Sequence, residues 1–366
     1  MKYRILLLLL CGFIALQAQV PNNYYSNAYN KSGQALCTAL HDIISNHTAL
    51  SYSGLWEAYK TTDKRLDNGK VWDIYSDVPN GTPAYYFDWN DKCGSYSTEG
   101  DCYNREHSVP QSWFNEAAPM KTDLFHIYPT DGKVNSQRGN YAYGEVSNAN
   151  WTSTNGSQRG SCATAGYSGI VFEPIDAYKG DLARTYFYMA VCYMDKNLGQ
   201  TSESMFNGGS LKPWALNMLI RWHNQDPVST KEVNRNNAVY SIQHNRNPFI
   251  DYPELVDMIF GNQTNVLFNP NGEGEDDPNG INDLCFQKNW SVYPNPAIDN
   301  VYVTPSKEIE GDIDVDVWTI TGQRIKSISF SGEATISFNV SDLNPGVYIL
   351  KIATENSTVV KKLAVE

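Results

Sequence analysis

Two stretches of the sequence concentrate side chains able to do chemistry: NREHSVPQSWF, 104–114, and DLFHIYPTDGKVNSQRGNYAYGEV, 123–146. In the first, Glu106 and His107 set a carboxylate beside an imidazole. An unperturbed imidazole titrates near ~6.5, so it can take a proton from water at neutral pH. In the second, Thr130-Asp131 reads as a helix N-cap signal, which places Asn135 near the first turn and Arg138 three residues on, along the same face. Carboxylate and amide oxygens are hard donors suited to a divalent cation, and a guanidinium matches a phosphate. Together these groups suit phosphodiester hydrolysis, which needs an activated water, charge stabilisation on the phosphate and help for a poor alkoxide leaving group.

Geometry restricts how they can act. Neighbours in a regular strand point to opposite faces, so Glu106 and His107 cannot both aim at one point from a flat strand. Either the strand twists or ends there, or the phosphate and its water lie between the two groups. Pro110 just downstream is consistent with irregular backbone. As a working base, His107 is expected to be exposed and to add little to packing. A single Glu-His pair is common in a chain this long and by itself assigns nothing.

The elements that would carry these groups can be read from periodicity. Leu36, Leu40, Ile43, Ile44 and His47 fall on one helical face. Asp181 opens a run in which Leu182, Tyr186, Met189, Ala190 and Tyr193 recur at helical spacing, and Pro213 begins another helix. Ser229 with Glu232 makes a capping-box start, and Asp251 is expected to cap a short helix that stops at Gly261. NPNGEGEDDPNGIND, 269–283, holds one apolar residue and cannot bury a core, so it reads as a linker. Beyond it, short alternating runs (VYVTP, IDVDVWTI, RIKSISF, ATISFNV, GVYILKIA, TVVKKLAV) are separated by turn residues, the pattern of a small antiparallel β-sandwich.

At the start, MKYRILLLLLCGFIALQAQ has a basic beginning, an apolar run and a small residue, Ala18, at the expected cleavage point: a secretory signal peptide. Lipidation at Cys11 ranks below simple cleavage, because Leu10 stands where a small residue is wanted. The division expected is a signal peptide at 1–18, a catalytic domain at 19–261, a polar linker at 262–289 and a C-terminal domain at 290–366. Six cysteines remain after cleavage, enough for three disulfides in an exported chain, with Cys93–Cys102 the favoured local pair. No CxxC spacing or Cys/His cluster supports zinc, and His41, His47, His223 and His244 lack ligand spacing. The net charge of −12 is spread evenly, −4 each on residues 1–261, 262–289 and 290–366. Without a strong basic footprint, a nucleic-acid partner would be held weakly and transiently.

Both reactive segments resemble those of the bacterial endonuclease I family, non-specific nucleases with a His-metal finger (ββα-metal) site. The similarity extends to SGLWEAYKTTDKR (53–65), VWDIYSD (71–77), FEPIDAYKGDLARTYFYMA (172–190) and NRNPFIDYPE (245–254), and covers most of residues 30–260. The resemblance implies an α+β catalytic domain, largely helical, with His107 as general base. It implies Glu106 and Asn135 as protein ligands of one divalent cation, Mg²⁺ first, with Mn²⁺ or Ca²⁺ as alternatives. The substrate implied is DNA, with RNA not separated from it, cut to 5′-phosphate and 3′-hydroxyl ends. Family members can carry an arginine, between the Glu-His strand and the Asn helix, that contacts the phosphate. Here that connection holds only Lys121, leaving Lys121 and Arg138 as candidates for the role, while His126 is a supporting candidate. Asp123, Arg184 and Arg246 lie in matching motifs and are read as bracing the fold.

WSVYPNPAIDNVYV, ITGQRI, LNPGVYILKI and the Lys361-Lys362 end resemble the C-terminal sorting domain of type IX secretion cargo. That implies export by the signal peptide, passage by the type IX machinery and a secreted or surface-associated protein. Two rival classes are a catalytically inactive, surface-displayed binding protein on the same scaffold, and a different secreted hydrolase such as a metalloprotease. The chain lacks both an HExxH helix and a GxSxG elbow.

Overall fold

Apolar spacing and caps account for most of the helices. The computed structural model describes residues 20–79, 81–270, 290–305, 311–319, 322–331, 336–354 and 357–365. The expected signal peptide, Cys11, Cys285 and much of the expected linker lie outside these. In α1 (Gly33–Ile44), Leu36, Leu40 and Ile44 are buried. The helix ends before His47, so spacing alone placed that histidine wrongly on its face. After α2 (Leu55–Thr62) the chain runs without long regular elements to a disulfide between Cys93 and Cys102, as expected, with Cα atoms 5.7 Å apart. Cys37, Cys162 and Cys192 are free thiols.

Next comes the unit that carries the reactive segments. Strand β1 (Tyr103–His107) pairs antiparallel with β2 (Ile127–Asp131), Glu106 opposite Tyr128 and His107 opposite Ile127. Two 3-10 turns, Gln111–Phe114 and Met120–Thr122, fold the connection between them. Helix α3 (Gly132–Arg138) starts directly from β2, because Asp131 ends the strand and caps the helix through its side chain (Val134 N to Oδ1, 2.8 Å).

A four-stranded sheet follows, made of β3 (Ala142–Tyr143), β4 (Val146–Thr152), β5 (Gln158–Cys162) and β6 (Ile170–Glu173) in the order β3-β6-β5-β4. Helix α4 (Lys179–Cys192) is buried on every side, as a central core helix must be. A small hairpin of β7 (Phe206–Asn207) and β8 (Ser210–Leu211) leads to α5 (Pro213–Gln225) and α6 (Thr230–Gln243), where both halves of the Ser229–Glu232 capping box form. The short α7 (Pro248–Asp251) is capped by Asn247, and α8 (Leu255–Ile259) has no side-chain cap. Asp251 is therefore not the expected cap. It pairs with Arg246 and accepts hydrogen bonds from Tyr25 and Asn236.

By contacts the chain forms two compact units, Met1–Pro270 and Asn271–Glu366. Residues 262–270, given to the linker on composition, instead join the first unit: Phe268 is buried and its backbone pairs with Asn30 and Lys31. The second unit has two antiparallel sheets with their own apolar core. One is ordered β13-β10-β9, from β9 (Trp290–Tyr293), β10 (Asn300–Pro305) and β13 (Ile336–Asn339). The other is ordered β12-β11-β14-β15, from β11 (Asp312–Thr319), β12 (Arg324–Ser331), β14 (Gly346–Thr354) and β15 (Ser357–Val365). The α+β expectation holds at this level. Among the described residues, no helix is long and apolar enough to cross a membrane.

Candidate active site

Successive residues of β1 face opposite sides, as the strand argument required, and each side presents a different chemistry. Glu106 turns toward α3 and is 2% exposed. Its Oε1 accepts the Tyr75 hydroxyl at 2.9 Å and lies 3.1 Å from Arg138 Nη1. The Tyr143 hydroxyl stands 2.7 Å from that of Tyr75, so a buried chain of hydroxyls ends on this carboxylate. Both contacts fall on Oε1. Burial pushes the Glu106 carboxyl up to about 7, against the opposing pull of Arg138 and Tyr75. Asn135, on α3, donates from Nδ2 to the carbonyl of Arg105 at 3.2 Å, which fixes the amide with Oδ1 as its free acceptor. Asn135 thus sits against the residue preceding Glu106, and Arg138, one turn along, holds Glu106 itself. Two oxygen donors on one side of the hairpin, one a carboxylate that burial makes reluctant to stay charged, fit a hard divalent cation that would replace the proton.

His107 faces the other way, toward the 3-10 turns. It is 6% exposed, not the open surface base expected, because its ring packs against Tyr52 (centroids 6.2 Å, 22° between planes) and His126 (5.5 Å). Nε2 lies 3.1 Å from the Lys121 carbonyl. A carbonyl only accepts, so Nε2 carries the proton and Nδ1 keeps its lone pair. Burial and the neighbouring His126 drive the imidazole down to about 3, with the cations of Arg105 and Lys121 adding to the effect. The ring is therefore neutral at pH 7.

The remaining candidates separate clearly. Lys121 contributes its backbone to His107, while its ammonium pairs with Glu116 and lies 5.4 Å from the Tyr52 ring centre. His126 is buried and donates to the Met120 carbonyl at 2.6 Å, and its Nδ1 has no partner. Arg138, at 1% exposed, is not placed as a free phosphate cation. Its guanidinium is spent on the carbonyls of His107 and Ser108 and on Glu106, tying the end of α3 to the end of β1. Arg184 with Glu232, Arg246 with Asp251, and Asp123 with Tyr188, Tyr193 and Gln243 are internal braces.

Sequence reasoning missed three neighbours. Tyr75 stood in the quoted VWDIYSD, but nothing local pointed it at Glu106. Tyr143 comes from β3. Arg105 was visible as the residue two before His107 and hence on its face of the strand. A further cluster also escaped spacing arguments: ligand atoms of His47, Asp123 and Cys192 lie within 4.8 Å of one another. Its members come from three distant segments. The Asp123 carboxylate there already accepts hydrogen bonds from Tyr188, Tyr193, Gln243 and the Phe125 amide.

Comparison with known proteins agrees with this architecture. The chain belongs to the Endonuclease I family, whose profile matches residues 32–254. A secretion system C-terminal sorting domain matches residues 291–366, and the protein is secreted by the type IX route. The extracellular ribonuclease of Bacillus amyloliquefaciens is 39% identical over 244 residues, 65% of this chain and 78% of that protein. The extracellular ribonuclease of Bacillus subtilis (strain 168) is 36% identical over 246 residues, 65% and 78% respectively. An extracellular deoxyribonuclease of Aeromonas hydrophila is 26% identical over 175 residues, 46% and 63%.

Proposed function

We propose that the chain is a secreted, metal-dependent endonuclease that hydrolyses phosphodiester bonds with His107 as general base. The catalytic part is the first unit, followed by a polar linker and the sorting domain. The observation that carries this reading is the orientation of His107: one ring nitrogen is committed to the Lys121 carbonyl and the other has no hydrogen-bond partner among the described residues, on a strand whose preceding residue offers a carboxylate. Nδ1 takes a proton from water as the water attacks phosphorus. The imidazolium that forms is opposed by burial, so the proton passes on readily once the bond has broken. Glu106 and Asn135 would hold the divalent cation, Mg²⁺ by preference for such oxygen donors, with Arg138 keeping Glu106 aimed. When bound, the cation supplies charge stabilisation for the phosphate and for the departing 3′ oxygen.

Water rather than a 2′-hydroxyl is the nucleophile in this scheme, so DNA and RNA both qualify, and the products carry 5′-phosphates. Relatives bearing ribonuclease and deoxyribonuclease names are in keeping with that breadth. The test is the purified chain on DNA, RNA and 2′-O-methyl RNA with Mg²⁺ or EDTA, beside His107→Gln. Glutamine retains a donor for the Lys121 carbonyl but has no basic nitrogen, so kcat should fall at least about 100-fold with an unchanged circular dichroism spectrum. Cleavage that survives EDTA, or undiminished turnover by the variant, refutes the assignment.

A further inference from the structure

On the His107 side of β1, cations and aromatic rings alternate. The Tyr52 ring lies beside that of His107, and the Arg105 guanidinium stands 3.6 Å over Tyr52 and 4.4 Å from the Trp56 ring centre. Lys121 is 5.4 Å from Tyr52, and Lys92 is 5.7 Å from Trp56. The order, leading away from the imidazole, is Lys121, Tyr52, Arg105, Trp56, Lys92. Arg105 shares a strand face with His107 and is pinned by Nη1 on the Tyr52 carbonyl at 2.8 Å, while its buried Nε has no partner. Lys121 has Glu116 as a counterion, but among the described residues no carboxylate lies within ion-pair distance of Arg105 or Lys92. In a chain of net charge −12, three cations along one row, two of them near the imidazole, run against the overall balance. Tyr52, Trp56, Arg105 and Lys121 are partly exposed and Lys92 is exposed, so the row is open to solvent.

We propose that this row is the track along which a single strand of nucleic acid lies as its scissile phosphate meets His107. The inference rests on the nuclease reading and adds the substrate class. Cations held over ring faces are preset for backbone phosphates at little entropic cost. Arg105 already fills the space between Tyr52 and Trp56, so the ring surfaces it leaves open take stacked bases, and only unpaired bases have faces to offer. A duplex would use the cations and leave the planes idle, so the alternation selects the single strand, DNA or RNA.

The test uses the full chain and its Lys92→Gln and Trp56→Leu variants. Binding of labelled 12-nucleotide DNA and RNA single strands, and of the corresponding duplex, is followed by anisotropy in EDTA at several salt concentrations. Cleavage is followed in Mg²⁺. Lys92→Gln should weaken single-strand binding several-fold and lower the slope of log K against log salt by about 0.7. Trp56→Leu should weaken single-strand binding roughly 5- to 100-fold while leaving the duplex nearly as before. Thermal melts establish that each variant is folded, and Lys92→Gln alters only an exposed side chain. Unchanged single-strand binding by the folded variants, or equal losses on duplex and single strand in Trp56→Leu, overturns the track. Wild-type chain that binds strands in this way but cuts none would overturn the nuclease reading and leave the track standing. Normal cutting with unaffected variants would do the reverse.

Discussion

His107 and Glu106 are neighbours whose proton affinities are driven in opposite directions, and burial does both. It lowers the imidazole to about 3 and raises the carboxyl to about 7. With Glu106 as the proposed cation ligand, a proton on its carboxyl below pH 7 would compete with the metal. At limiting Mg²⁺, kcat/KM should therefore rise about tenfold per pH unit up to a limb near 7, then level off. More Mg²⁺ should move that limb toward lower pH. His107, already neutral, should add no acid limb between pH 4 and 8. A limb near the ordinary imidazole value of 6.5 that ignores Mg²⁺ concentration would show that His107, not Glu106, sets the profile.

At the scale of elements, the unit β1-β2-α3 depends on joints between backbone and side chain. Asp131 closes β2 and opens α3, accepting from Val134 and Gly100, while its own amide donates to Asp73. Arg138 closes the other end of α3 onto β1. Arg138→Met leaves the Glu106 carboxylate buried without its cation and removes the hydrogen bonds to the His107 and Ser108 carbonyls, which should cost about 3–5 kcal/mol of stability in denaturant unfolding. If Arg138 instead served mainly as a phosphate contact, the variant would keep its stability and show only a raised KM with a shallower salt dependence. The Cys93–Cys102 link sits immediately before β1, so the strand that carries both reactive residues starts from a covalently closed loop.

For the molecule as a whole, two separate apolar cores imply two folding units. The first is built around α4 with its Tyr, Trp and Phe neighbours, and the second from inward-facing Val, Ile and Leu of the two sheets. A chain ending at Pro270 should therefore fold, retain the thermal transition of the first unit and cut nucleic acid as the full chain does. Calorimetry of the full chain should show two transitions, one of which vanishes on truncation. Loss of both transitions would mean that the second unit stabilises the first. The cut belongs at 270 rather than 261, because Phe268 is part of the first core.

Local rules acting over a few residues were open to inspection in the chain. The Ser229–Glu232 box, the Asp131 cap, the Pro213 start and the alternation of the last domain each depend on neighbours three or four positions away or less. The same holds for the opposed faces of Glu106 and His107, and the wider pattern of motifs carried the family. What no local rule contains is which distant groups meet. Tyr75 and Tyr143 reach Glu106, the Lys121 carbonyl selects the tautomer of His107, and Arg138 turns inward to backbone carbonyls instead of outward to phosphate. His47 and Asp251 were misplaced for a related reason: spacing cannot show where a helix stops, or whether a carboxylate is claimed by an arginine elsewhere. Burial belongs to this second class too. Desolvation depends on everything packed around a group, so the shifted proton affinities of this pair of neighbours exist only once the chain has folded.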